Sequence, residues 1–497
     1  MQEKSSSALS YRQIDKPLLL LYFLFLIFGW ICIYEASYSE AQTSMFDIGF
    51  RSGMQLVWIS ISIAAAIIIL NIQTLSLYSW SYFIYATMMI LLVVTIFIAP
   101  NIKGSHSWIV LGGFSIQPAE FAKFATALAV SYYLSSQRAS DRNLSKKLLY
   151  ASGLILLPMI IIMLQNETGS ALVFVALTMM LFREGLSPYL LGIGVMAIAI
   201  FIITIVFLQS DMFFYTSHLG LFASINIALL ICVLLYGRYS TTYIKWFGAL
   251  HILGVLCTTY IIAFAINRFF VKIDMLYISI VVAISFICLM AYIFIKLSSN
   301  KLYLFLALFM IGAMGYAFSS EFAFKNILKP HQRVRIEILL GLKEDPKGAE
   351  WNTIQSRIAI SSGRLTGKGF LKGTQTKLKF VPEQDTDFVF CTIGEELGFL
   401  GSATVVFMFI IFIYRIIYLS EQQSNIYARV YGYCVASIFT FHILINIGMV
   451  LGIMPVIGIP LPFFSYGGSS LLSFTVLLFI FIKLDMSGAS NTNYLHQ

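Results

Sequence analysis

The residues able to do chemistry are concentrated between Ser361 and Gly398, in the stretch SSGRLTGKGFLKGTQTKLKFVPEQDTDFVFCTIGEELG. Within it, Glu383, Asp385 and Asp387 recur at every second position. If that segment is extended, the period-two alternation of side chains puts all three carboxylates on one face. Like charges held together raise at least one pKa unless cations or a metal offset them. A carboxylate whose pKa approaches the operating pH serves as a general base, and Asp387 is the candidate. The same spacing equally describes a solvated acidic turn that balances a basic loop. A hard cation, Mg2+ or Mn2+, at Glu383, Asp385 and Asp387 is compatible with such oxygen ligands, although the sequence requires no cofactor.

Gly363, Gly367, Gly369 and Gly373 alternate with Arg364, Lys368 and Lys372. Glycines let backbone N–H groups approach an anion and the cations supply charge, so the passage suits a phosphate or pyrophosphate. A flexible, solvated loop is the competing reading, and the spacing is not that of a nucleotide P-loop. Glu395 and Glu396 follow close to the start of a helix, where the dipole favours negative charge.

Further polar groups interrupt the apolar runs. Glu120 and Lys123, at i and i+3, can pair on one helical face where an isolated charge would be costly. Trp108 fits either an interfacial aromatic belt or a site. Gln165, Asn166 and Glu167 read as a helix cap or as a substrate contact. His442 and Asn446, one turn apart, suit interhelical hydrogen bonding. Residues 453 to 470, IMPVIGIPLPFFSYGGSS, hold three prolines that forbid a regular helix. Irregular backbone near membrane depth must be buried in protein or line a cavity, so this passage is expected to border the site.

The elements that position these residues are membrane spans. With 59% hydrophobic and 11% charged residues in 497, the composition excludes an ordinary soluble domain. Apolar runs of about 18 residues recur, each long enough to cross a bilayer as a helix. Seven fall before residue 208, four between about 221 and 318, and three after 398. The expected fold is an all-α polytopic membrane protein of about fourteen transmembrane helices with a large extracytoplasmic loop. Four regions follow: residues 1–208, an N-terminal membrane region; 209–320, a four-helix membrane segment; 321–397, the polar loop; and 398–497, the C-terminal membrane region.

The N-terminus carries Lys4, Arg12 and Lys16 and reads as cytoplasmic ahead of a retained signal anchor. Arg138, Arg142, Lys146 and Lys147 then mark an inside loop, and both termini fall inside. An even number of spans between 221 and 318 leaves the polar loop on the same outer face as residues 100–117. That loop holds twelve Lys or Arg from Lys325 to Lys379. The excess asks for an anionic partner; no nucleic acid is expected. Six scattered cysteines lack CxxC or His-linked spacing, which disfavours disulfide and zinc roles.

Taken together, KGSHSWI with QPAEFAK, QNETGSAL, HQRVRI, IQSRIAISSGRLTGKGFLKGTQ, FVPEQDTDFVFCTIGEELGFLG and NIGMVLGIMPVIGIPLPFFSYGGSSLL resemble, in order, the SEDS family (shape, elongation, division and sporulation). GIPLPF before SYGGSS is closer to the RodA-type elongation branch than to the FtsW-type division branch. The resemblance implies a ten-helix core, with the helices between 221 and 318 as an insertion. It implies a bacterial cytoplasmic-membrane glycosyltransferase that polymerises lipid II into β-1,4 glycan and releases undecaprenyl pyrophosphate. The rivals are a precursor flippase and a non-catalytic scaffold.

Carried onto this chain, the resemblance makes Asp387 the essential acid. It places Trp108, Glu120, Lys123, Arg333, Arg335, Lys368, Gln375, Glu383, Asp385 and Ser465 at the substrate, with Arg333, Arg335 and Lys368 stabilising the leaving pyrophosphate. Ala119, Asp385 and Asn166-Glu167 depart from the common family residues Ser, His and Pro-Asp. The implied partners are a class B penicillin-binding protein and other elongation-complex membrane proteins.

Overall fold

A computed structural model describes residues 14–38, 44–102, 104–111, 114–136, 144–208, 216, 218–239, 245–269, 273–297, 300–348 and 350–493. Lys4, Arg12 and the basic positions Arg138 and Arg142 lie outside the described residues. Among the described residues the regular elements are helices, apart from one short hairpin, β1 (Ile109–Leu111) and β2 (Phe114–Ile116), paired Ile109 to Ile116. Among the described residues, eleven helices are long and apolar enough to cross a membrane. The helix Pro118–Ser135 and the shorter apolar segments Thr168–Arg183 and Gly192–Val206 occupy the remaining expected spans. The protein is a multi-pass membrane protein.

Packing divides it into two units, one formed by Met1–Leu186 with Asp345–Gln497, the other by Ser187–Glu344. In the first, the spans are α1 (Lys16–Ser37), α2 (Arg51–Asn71), α3 (Thr74–Ile98), α4 (Pro118–Ser135), α5 (Leu144–Leu164) and the interrupted pair α6 (Thr168–Val173) and α7 (Leu177–Arg183). The second unit contributes α8 (Pro188–Val206), α9 (Leu219–Tyr239), α10 (Lys245–Phe269), α11 (Met275–Tyr292), α12 (Lys301–Phe322) and the short α13 (Pro330–Leu339). The first unit then resumes with α14 (Trp351–Ser362), α15 (Thr374–Lys377), α16 (Val389–Glu396), α17 (Gly398–Glu421), α18 (Ile426–Val450) and α19 (Gly468–Asn493).

Local sequence explains the helix starts. Asp15 accepts the N–H of Leu18 ahead of Pro17, Asn425 accepts that of Tyr427, and Pro118 opens α4. In the first unit α4, α18 and α19 are the most enclosed spans. Their neighbours meet them through aromatic packing, with Phe439, Phe463 and Phe474 around Phe25, Phe409 and Phe412. The connections 99–117, 165–167, 379–397 and 451–467 meet in the first unit, where Ser107 bonds Glu167, Gly169 approaches the Ile457 carbonyl, Tyr466 bonds Asp385, and Asn446 bonds both Asp387 and Ile459.

In the second unit, α9, α11 and α12 share a core around Cys232, Phe286 and Tyr303. Thr204 bonds Ser224 at 2.9 Å and Asn226 donates to Ser279 at 3.1 Å, satisfying polar groups that apolar surroundings would penalise. All six cysteines are free.

Where the irregular 451–467 segment crosses α1 there is no room for a side chain. A Cβ on Gly29 would lie 2.2 Å from the Phe463 carbonyl oxygen, which is backbone and cannot rotate away. Gly29→Val therefore forces α1 outward and is expected to cost about 1–3 kcal/mol, read as a lowered unfolding midpoint of the detergent-solubilised protein.

Candidate active site

The three carboxylates do not stand on an extended face. Residues 382–388 form consecutive turns, in which the Glu383 carbonyl accepts the N–H groups of Thr386, Asp387 and Phe388 at 3.3, 3.1 and 3.2 Å. Turn geometry separates what alternation would have aligned. Glu383 is exposed with φ +53°, Asp385 is buried, and Asp387 is half-buried. Phe388 and Val389 behind them are enclosed and fix the turn to the core.

Asp387 is held by its backbone. Asn446 on α18, fully buried, donates from Nδ2 to the Asp387 carbonyl at 2.8 Å and to that of Ile459 at 2.7 Å. The carboxylate lies against the 451–467 segment, with Oδ2 3.4 Å from the position of a Cβ on Gly458. A half-buried acid on a fixed backbone next to a residue without a side chain has open space for a reacting group beside it.

Upstream, the Gly-rich passage does form an anion cradle, but the protein's own carboxylate occupies it. Glu395, fully buried on α16, accepts from Lys368 Nζ at 2.7 Å and from the N–H groups of Thr374, Gln375 and Thr376 at 2.8, 3.0 and 2.9 Å. The hydroxyls of Thr374 and Thr376 add to these. Burial opposes ionisation, but the Lys368 ammonium, the Thr376 hydroxyl and the backbone donors outweigh it and hold the Glu395 carboxyl at about 2. Lys368 is thus neutralised within the loop. Glu395 and Glu396 end α16 and cap the loop behind them, rather than the start of the helix ahead.

Burial pushes the Glu396 carboxyl up, against the pull of the Leu371 N–H, which it accepts at 2.8 Å, and of its hydrogen bond with Glu35 of α1. Gly367, at φ +80°, passes so close to α16 that a Cβ would lie 2.1 Å from the Glu396 carbonyl oxygen. Gln375 belongs to this cradle through its backbone, with its side-chain oxygen buried and unpaired.

On the membrane side of Asp387, Glu120 and Lys123 pair at 2.7 Å, both almost fully buried. Lys123 also donates to His442 Nε2 at 3.0 Å, and the opposite ring nitrogen lies 3.1 Å from the Pro460 carbonyl. A carbonyl only accepts, so His442 carries its proton on Nδ1 and is neutral. His442 and Asn446 consequently both clamp the 451–467 segment. Ser465 serves within that segment, its Oγ accepting the Leu461 N–H at 2.8 Å.

The 100–117 connection is tied in by Ser107, which donates to Glu167 at 3.0 Å, and by the His106 N–H on the Gln165 carbonyl at 3.0 Å. Burial raises the Glu167 carboxyl against the pull of the Ser107 and Ser105 hydroxyls. Trp108 is half-buried immediately before the hairpin, which no sequence pattern announced.

Arg51 was missed. It opens α2 and pairs with Asp385, whose carbonyl takes the Tyr466 N–H at 2.7 Å. The only hint was a single cation at the head of a span, since its partner lies 334 residues away. Arg333 and Arg335 belong to the second unit. There Arg333 donates to the Lys325 carbonyl and covers the Phe324 ring, while Arg335 is exposed. Among the described residues no group of three or more His, Cys, Asp or Glu is arranged to hold a metal ion, and Asp385 is committed to Arg51.

The sequence model of the FTSW_RODA_SPOVE family, described as cell cycle protein, matches residues 16–223 and 254–489. The peptidoglycan glycosyltransferase RodA of Treponema pallidum is 28% identical over 423 residues, covering 84% of this chain and 85% of that one. The peptidoglycan glycosyltransferase MrdB of Escherichia coli K12 is 43% identical over 146 residues, 29% of this chain and 40% of that one. Among solved structures, a chain from a peptidoglycan synthase complex that coordinates polymerization and crosslinking superposes with TM-score 0.56 at 18% identity, covering 96% of this chain and 98% of that one. The rod shape determining protein RodA of Thermus thermophilus gives 0.50 at 17% over the same shares. The structural likenesses establish the fold.

Two outcomes follow from the geometry. Because the folded pKa of Glu395 lies below the ordinary carboxylate value of about 4.3, its contribution is complete above that value and is lost as pH falls from there toward about 2. Hydrogen exchange of amides 367–377 is expected to accelerate across that window, whereas Glu395→Gln exchanges fast at every pH. Lys123→Met leaves Glu120 buried without a counter-charge and costs about 3–5 kcal/mol, while the double variant Glu120→Gln with Lys123→Met recovers most of the lost thermal stability.

Proposed function

The chain belongs to the FtsW/RodA/SpoVE family of cell cycle proteins, and from that premise we propose that it is a RodA-type peptidoglycan glycosyltransferase, with Asp387 as its general base. The observation that supports this assignment is the Asn446 clamp, which fixes the Asp387 backbone while leaving its carboxylate half-exposed beside Gly458. A base must be positioned before its pKa matters.

The substrate is lipid II at the outer face of the bacterial cytoplasmic membrane, with both termini cytoplasmic. The 4-hydroxyl of the acceptor N-acetylglucosamine attacks C1 of the donor N-acetylmuramic acid, its proton passes to Asp387, and the C1–O bond to undecaprenyl pyrophosphate breaks. An α-linked donor and a β-1,4 product require a single inverting displacement, so Asp387 forms no covalent intermediate. Pyrophosphate leaves readily, which confines the demand on the protein to deprotonation, alignment and stabilisation of growing negative charge. The solved relative in a peptidoglycan synthase complex supports a class B penicillin-binding protein as the transpeptidase partner.

Asp387→Asn keeps the backbone bonds and removes the base. Purified, folded and bound to its transpeptidase, it is expected to make glycan strands from lipid II about 100-fold or more slowly than the wild type. Undiminished polymerisation would overturn the assignment. A lipid II flipping assay on the same preparation separates the transport alternative.

A further inference from the structure

A cavity of about 440 Å³ opens beside Asp385, walled by Ala36 and Ser37 of α1, Gly49, Phe50 and Arg51 at the head of α2, Lys379, and Val381 to Asp385. Its volume falls within the range of small-ligand sites. Its charges are mixed: Arg51 and Lys379 face Glu383 and Asp385, and the Arg51–Asp385 pair joins its two walls. Arg51 nonetheless keeps half of its side chain exposed. Among the described residues the Lys379 ammonium has no partner. Lys379 and Glu383 both adopt left-handed backbone, at φ +53° each, a conformation that non-glycine residues keep only where the surroundings impose it.

The balance of signs decides what fits. A pyrophosphate would meet two carboxylates here, so its repulsion offsets the attraction of the two cations. A ligand carrying separated amino and carboxylate groups can match Glu383 with one end and Lys379 with the other. Apolar surface from Phe50, Val381 and Pro382 accommodates the chain between them. We propose that this cavity binds the peptide stem attached to the muramic sugar, and so selects substrates by their stem while the sugars lie at Asp387. The proposal rests on the polymerase reading, and it assigns Glu383 and Lys379 to substrate recognition.

The test uses the purified full chain with a soluble disaccharide–pentapeptide, the same disaccharide without peptide, and the disaccharide–pentapeptide with its carboxylates amidated. Thermophoresis is expected to give about tenfold or more tighter binding of the unmodified stem than of either other ligand, the yield of one charge-assisted contact. In Lys379→Gln amidation should no longer matter, and Lys379→Arg should restore the preference. Blocking the stem amine should weaken binding by wild type and leave binding by Glu383→Gln unaffected.

Equal binding of all three ligands by wild type would overturn the proposal. So would a preference that survives Lys379→Gln, because the stem would then sit elsewhere. Glycan synthesis from lipid II is measured on the same preparations. Stem preference without any synthesis removes the polymerase reading but leaves the cavity assignment standing, whereas synthesis without stem preference removes the cavity assignment alone.

Discussion

The path of the polar loop depends on one buried carboxylate. Glu395 has no solvent exposure, and an isolated ion there would be prohibitive. Besides the Ser362 hydroxyl at the end of α14, the loop supplies its stabilising donors: one ammonium, three amide N–H groups and two threonine hydroxyls. Those donors come from residues 368–376, so satisfying the charge dictates the path of the loop. The positive-φ turns at Arg364, Leu371 and Lys379 are the local cost of that path. The Gly and Lys residues therefore build the site, where their composition alone suggested that they contact an external phosphate.

A second framework meets the first at Asp387. It starts with the Glu120–Lys123 pair inside the helix bundle, passes through neutral His442 to the Pro460 carbonyl, and ends at Asn446. Its side chains are buried, and from Lys123 onward each bonds across to a different element. Asn446 is the junction, because its two N–H bonds hold the 451–467 segment and the Asp387 backbone at once. Motifs separated by hundreds of residues thereby bear on a single carboxylate.

The span pattern was legible because bilayer thickness imposes a length and polarity on each helix that any chain must display. The gathering of polar connections at one end followed from counting spans. Pairwise geometry was not legible. The period-two reading of Glu383, Asp385 and Asp387 failed because left-handed backbone at Glu383 and three N–H groups on its carbonyl make a turn, a choice set by the packing of Phe388 and Val389. Arg51 escaped notice since nothing near it in sequence points to Asp385. The short hairpin after Trp108 has only three residues per strand, too few for alternation to register.

The exchange of His for Asp at position 385, relative to the family pattern, becomes intelligible through Arg51. A carboxylate two residues from the proposed base would repel a second negative charge and favour protonated Asp387. With the Arg51 guanidinium against it, Asp385 is neutralised locally, and its carbonyl is fixed by Tyr466. The exchange therefore adds no uncompensated negative charge next to Asp387, and the Asn446 bond to its carbonyl keeps the proposed base aligned through its backbone.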